Sequence, residues 1–167
     1  MTKFNQTAFS LVLAGVLVSG AAFSQTRVAS SQPNWRADAL FETVTLSEGF
    51  TPDPWSYDLQ AGGQNQATRL GDECSGYINN SAPDVTLIYE GGSILDLHLY
   101  VTSNEDTTLV VSGPDGRWHC NDDAMGLNPM IIFEQPDGGQ YDIWVGVYGS
   151  GDIVPATLHI SELNPMD

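Results

Sequence analysis

The sequence predicts an all-β fold, an antiparallel β-sandwich of jelly-roll-like form tied by one disulfide. Three observations predict it. Short runs that alternate apolar and polar residues recur from Phe41 onward, separated by Gly, Pro, Asp and Asn; that is the pattern of strands joined by tight turns. No stretch carries apolar residues at sustained helical spacing. The chain has two cysteines, Cys74 and Cys120, and in an exported chain an even pair reads as one disulfide.

The first element is not part of the fold. Residues 1–24 hold one lysine, Lys3, then an apolar run from Ala8 to Val18, and close on the small residues Ala22 and Ser24. That is the layout of a secretory signal peptide, and the run is too short to span a bilayer comfortably. No cysteine stands near the cleavage point, and no later segment is long and apolar enough to cross a membrane. The expectation is therefore an exported protein, periplasmic or extracellular, with no membrane anchor after cleavage. Residues 25–40 are polar and irregular and read as a flexible leader. Residues 41–163 read as the sandwich domain.

Within that domain the strands follow in order. "FETVTL" leads through "SEGFTPDP" into "WSYDLQ". "PDVTLIYE" leads through Gly91 and Gly92 into "SILDLHLYVTS". "DTTLVVS" leads through "GPDG" into "RWHC". "PMIIFEQ" leads through "PDGG" into "QYDIWVGVYG", and "PATLHISEL" ends the fold. Side chains alternate across a strand, so each run assigns its faces. Leu95, Leu97, Leu99 and Val101 point inward, with Asp96, His98 and Tyr100 opposite. Tyr141, Ile143, Val145 and Val147 share a face, with Asp142, Trp144, Gly146 and Tyr148 on the other. Leu158 and Ile160 point inward and His159 outward. Trp118 and Cys120 lie opposite His119. The three histidines thus fall on polar faces and read as surface residues rather than a joint metal site.

Charge narrows the function classes. The chain has 21 acidic and five basic residues, a net charge of −16. Such a chain repels phosphate backbones and anionic membrane surfaces, so nucleic acid is not expected as a partner. The charge suits a solvated acidic surface, a cationic partner or divalent cations. A Cys74–Cys120 bond would close a loop of about 45 residues and contribute roughly 4 kcal/mol in the chain-entropy model. A two-thiol metal site lacks the short CxxC spacing that zinc needs.

The segments "DTTLVVSGPDG", "CNDDAMGLNPMIIF" and "GGQYDIWVGVY" carry a resemblance. From about Asp84 to Glu162 the chain resembles the bacterial pre-peptidase C-terminal domain, with its D-x-x-L-x-V strand, PDG turn, NDD…G loop and closing G-x-Y-x-I-x-V strand. The resemblance implies a secreted β-sandwich module that is itself non-catalytic. It implies binding of an extracellular polymer, or service to a secreted peptidase, and some relatives bind calcium. The cysteine pair is not general in that family.

"GDSGG", "GxSxG" and "HExxH" are absent, so serine and zinc hydrolase signatures of those types have no support. A triad or carboxylate pair assembled from distant positions stays open. The sequence is therefore compatible with a binding or accessory module, a calcium-stabilised structural envelope protein, or an unrecognised secreted hydrolase.

Two candidate sites follow. Counting strands places the loops holding Asp84, Glu105–Asp106, Asp122–Asp123 and Asp152 at one end of the sandwich. Asp106, Asn121, Asp122 and Asp123 could there supply the oxygen ligands that Ca²⁺ takes. The other reading of "NDD" is turn chemistry, with Asn and Asp accepting backbone N–H bonds and Gly126 allowing a positive φ. The opposite end also carries acids, Glu90, Asp115 and Asp137, and the contiguous D-x-D-x-D-G spacing is absent. The second candidate is a binding surface of Trp144 and Tyr148 on an outer face, able to stack on sugars or pack on a peptide. Its alternative is that a flanking loop or the N-terminal segment covers them.

Overall fold

The computed structural model describes residues 32–92 and 94–167. Eleven strands are present among them, and no α-helix. They are β1 (Glu42–Leu46), β2 (Trp55–Gly62), β3 (Asn65–Gln66), β4 (Tyr77–Ile78), β5 (Val85–Tyr89), β6 (Leu97–Thr102), β7 (Thr107–Ser112), β8 (Trp118–Asn121), β9 (Met130–Phe133), β10 (Gly139–Val147) and β11 (Ile153–Ser161). The signal-peptide assignment and residues 25–31 of the leader lie outside the described residues.

Two sheets pack face to face. The smaller runs β2-β11-β6-β9. In the larger, β10 is central. One of its edges pairs with β5, which pairs in turn with β1, and beyond the end of β5 with β4, which pairs with β3; the other edge pairs with β7, which pairs with β8. Between the sheets lies the main core. Leu97, Leu99, Val101, Tyr141, Ile143, Val145, Leu158 and Ile160, all assigned inward by alternation, are buried in it.

The pairing departs from the expected all-antiparallel pattern at one place. β1 runs parallel to β5, with Val44 opposite Leu87. The cause is upstream. Asn34 N–H donates to Asn80 O (2.9 Å), Leu40 N–H to Pro83 O (2.8 Å) and Phe41 N–H to Asp84 O (3.0 Å). Residues 34–41 therefore run alongside 80–84 in the same direction, and β1 continues that course. Within residues 32–40, read as a leader, the backbone thus bonds to the 80–84 segment at Asn34 and Leu40.

The second departure is an added layer. Residues 63–82, with β3, one 3₁₀ turn at Ala67–Arg69 and β4, cross the outer face of the larger sheet. They bury Ala67, Cys74 and Ile78 against Val110 and Trp144, with Leu70, Trp118 and Cys120 packed around. Registers explain the match: Trp144 pairs with Val110, and Val110 with Cys120. These three form one row across the outer face, and the loop covers it. The Cys74–Cys120 disulfide, with Cα atoms 4.9 Å apart, ties the loop to β8.

Burial corrects three further side-chain assignments. Leu95 precedes β6 and is 37% exposed, because the strand begins at Leu97. His98 and Tyr100 do lie on the outer face of the smaller sheet but are buried. Tyr100 stacks on His159 at 4.6 Å. Nearby, Asp53 accepts from Ser161 Oγ (2.6 Å) and from Glu162 N–H (3.2 Å), which draws the 51–54 turn over that face.

Candidate binding groove on the outer face of the larger sheet

The predicted binding pair is split by the structure. Trp144 is fully buried under the 63–82 layer, and its Nε1–H donates to Ala82 O (2.7 Å). It is core, not surface. A buried indole needs that partner for its N–H, and the layer supplies it. Tyr148 stays 51% exposed, alone at the strand end.

The aromatic surface lies one row away. Asp142 pairs with Thr86 on one side and with Ser112 on the other, and Ser112 pairs with Trp118. Thr86, Asp142, Ser112 and Trp118 thus form a row next to the Trp144 row. Above it the docked N-terminal segment brings Trp35, 43% exposed. Between the two indoles is a groove of about 560 Å³, lined by Trp35, Ser112, Pro114, Trp118, Gln140 and Asp142 among others. Such a volume is typical of ligand sites.

The floor is ordered. Asp142 Oδ1 accepts from Thr86 Oγ1 (2.8 Å), and Gln140 Nε2 donates to both Asp142 oxygens at 3.0 Å. Burial raises the Asp142 pKa, while the bonds from Gln140 and Thr86 lower it. On the walls, Trp118 packs on Trp144 with ring centroids 5.5 Å apart. Arg36 stacks on Trp35 at 4.5 Å and does not line the groove.

The acid-rich end is built differently from the calcium expectation. Loops do meet there: Tyr148 N–H donates to Asp106 O (2.9 Å) and Thr107 N–H to Leu127 O (3.1 Å). Asn121 Oδ1 accepts from Ala124 N–H (3.1 Å) and Met130 N–H (3.0 Å), so its lone pairs hold the 122–129 loop closed. Asp122 Oδ2 accepts from Ser75 Oγ (2.9 Å). Asp84, counted at the same end, is buried and accepts from Val145 N–H (2.7 Å). Asp106 feels the others: burial, then Asp123, then Asp122 raise its pKa. Its Oδ1 is buried with no hydrogen-bond partner among the described residues. Yet no three His, Cys, Asp or Glu side chains among the described residues are grouped to hold a metal ion. The two bonds that Asn121 accepts are those expected of turn chemistry.

His119 lies on β8 of the larger sheet, while His98 and His159 share the outer face of the smaller one. His159 sits between Ser56 Oγ (2.7 Å from Nδ1) and Thr102 Oγ1 (2.9 Å from Nε2). Burial lowers its pKa, opposed by Asp58. A serine beside a histidine is one half of a hydrolase triad, but the other ring nitrogen faces a hydroxyl where a triad has a carboxylate. Asp58 accepts from Thr157 Oγ1 (2.7 Å) instead.

Alternation along β10 and β8 places Asp142 and Trp118 on outer faces, which is the part of the groove the sequence signals. Trp35 is missed because nothing in "SQPNWRADAL" signals that the leader docks.

No family model matches the chain, and no curated protein matches it. Among solved structures, it is similar to the crystal structure of a periplasmic lysozyme inhibitor of g-type lysozyme from Aeromonas hydrophila. The two are 13% identical, the match covers 72% of this chain and 96% of that one, and the TM-score is 0.39. At that score the likeness carries no argument about fold or partner.

Proposed function

We propose that the protein is a non-catalytic, exported binding or accessory module, as the resemblance to the pre-peptidase C-terminal domain implies. Its recognition element is the groove between Trp35 and Trp118. The observation that carries this reading is the groove itself: two indoles, one of them 43% exposed, over a floor of pre-bonded polar groups. Binding sites combine apolar walls with a few fixed polar groups in this way. Export is supported by the disulfide, since such bonds persist in oxidising compartments. No described helix is long and apolar enough to cross a membrane. The candidate partners are an extracellular polymer or a secreted peptidase.

Pull-down on insoluble polysaccharides, on gelatin and on an immobilised secreted peptidase tests the reading. Capture by at least one of them that is lost in Trp35→Ala supports it. Capture that Trp35→Ala leaves unchanged overturns the groove as the site. Hydrolysis of ester, peptide or glycoside reporters that His159→Ala abolishes would overturn the non-catalytic assignment.

A further inference from the structure

Resting on that reading, we infer that the groove takes a neutral saccharide, held with its C–H faces against Trp35 and Trp118 and its hydroxyls on Asp142, Gln140 and Ser112. Three observations select this class over others.

The first is the geometry of the polar groups. A sugar presents an apolar C–H face and a rim of hydroxyls that both donate and accept. The groove has the complementary groups: the indoles of Trp35 and Trp118, with Ser112, Gln140 and Asp142 in its lining. Asp142 Oδ1 already accepts two bonds, but Oδ2 accepts only from Gln140. A carboxylate oxygen can accept a further bond, so Oδ2 can take a hydroxyl. Gln140 adds an amide oxygen and Ser112 a hydroxyl.

The second is local charge. The protein as a whole carries −16, which disfavours acidic sugars and other anions. A cationic ligand is disfavoured locally. Arg36 already stacks on Trp35, and Arg117, paired with Asp115 at 3.8 Å, adjoins Gly116 and Trp118 of the lining. With Arg36 beside Trp35 and Arg117 beside Trp118, a cation would meet like charge at both indoles, whereas a neutral ligand adds no unpaired charge.

The third is rigidity. Trp118 rests on the buried Trp144 two residues from a disulfide, and Asp142 is fixed by Thr86 and Gln140. A wall and a floor that do not need ordering on binding reduce the entropic cost of capturing a weakly hydrophobic ligand.

Tryptophan fluorescence titration of the purified protein tests the inference, with cellohexaose, maltohexaose and chitohexaose as neutral probes. Acetyl-arginine amide and hexagalacturonate are the charged ones. Saturable binding of at least one neutral hexasaccharide is expected, weakened tenfold or more in Trp35→Ala. Asp142→Asn should weaken it similarly; the exposed Gln140→Ala serves if that variant does not fold, as judged by near-ultraviolet circular dichroism. Saturable, Trp35-dependent binding of only a charged probe overturns the saccharide class and leaves the groove as a binding site. Absence of a response to any neutral hexasaccharide overturns the inference. If the pull-down also finds no Trp35-dependent capture, the binding reading falls with it.

Discussion

Trp118 and Trp144 pack with ring centroids 5.5 Å apart at an angle of 50°, one at the edge of the groove and the other beneath the disulfide-tied layer. The pair joins recognition to stability: what holds Trp144 down also sets the position of the Trp118 wall.

The disulfide should therefore matter locally as well as globally. Cys74→Ser with Cys120→Ser is expected to cost roughly 4 kcal/mol in the chain-entropy model. Hydrogen exchange should rise first in residues 63–82, before the paired strands β10 and β11. Mass spectrometry of the unreduced protein should find no free thiol. Uniform exchange across the chain would show that the layer is not separately tethered.

Gly146 faces the same layer. A Cβ added there would meet Thr108 Oγ1 at 2.5 Å, Ile78 Cγ2 at 2.8 Å and the Tyr77 carbonyl oxygen at 2.8 Å. Because the carbonyl belongs to backbone, the β4 segment must shift. Gly146→Ala is expected to destabilise by about 1–3 kcal/mol, as overpacking does, read as a lowered denaturant midpoint. An unchanged midpoint would mean that β4 sits loosely on the sheet.

Stability should also fall as pH rises from acid to neutral. Burial lifts the Asp84 pKa from 3.8 to about 7, against the lowering effect of the Val145 N–H. The folded state thus holds the proton more tightly than the unfolded state. The contribution is full below about pH 4 and is lost as pH climbs to about 7, where the folded group ionises too. At about 1.4 kcal/mol per unit, the loss is on the order of 4 kcal/mol. Asp84→Asn keeps an acceptor for Val145 and should flatten that part of the curve. A curve for Asp84→Asn as steep as the parent's would assign the dependence to other groups.

Calcium tests the turn reading of the Cys120–Asp123 stretch. With Asn121 committed to Ala124 and Met130, melting midpoints in chelator, in calcium and in magnesium at equal ionic strength are expected to coincide. A calcium-specific rise of about 5 °C or more, well above general screening, would instead show ion binding to the folded state. Asp122→Asn with Asp123→Asn would then remove it.

Nine of the eleven strands were legible because their turns announce themselves with Gly, Pro, Asp or Asn and each core face alternates. Leu97, Leu99 and Val101 are read directly in this way, and so are Ile143 and Val145. Trp144 was not legible as core. Alternation says only that it opposes Val145, and whether the opposite face meets water depends on where residues 63–82 lie. Those residues are joined to the sheet by two short strands, β3 and β4, too short to leave a periodic trace. The groove fails for a related reason. Its row, from Thr86 through Asp142 and Ser112 to Trp118, is set by strand register, and its roof by the backbone bonds of residues 34–41. The disulfide was legible from compartment and count alone.

The position of β11 bears on when the chain can fold. This last strand lies between β2 and β6 and pairs with both, so the smaller sheet has no centre until residues 153–161 are available. A nascent chain halted before them would hold β2 and β6 with open edges and the main core half roofed. Folding of the smaller sheet before that point is thereby discouraged, and its closure waits until residues 153–161 have been synthesised. For a chain proposed to be exported, that delay leaves the part already made threadable while synthesis continues.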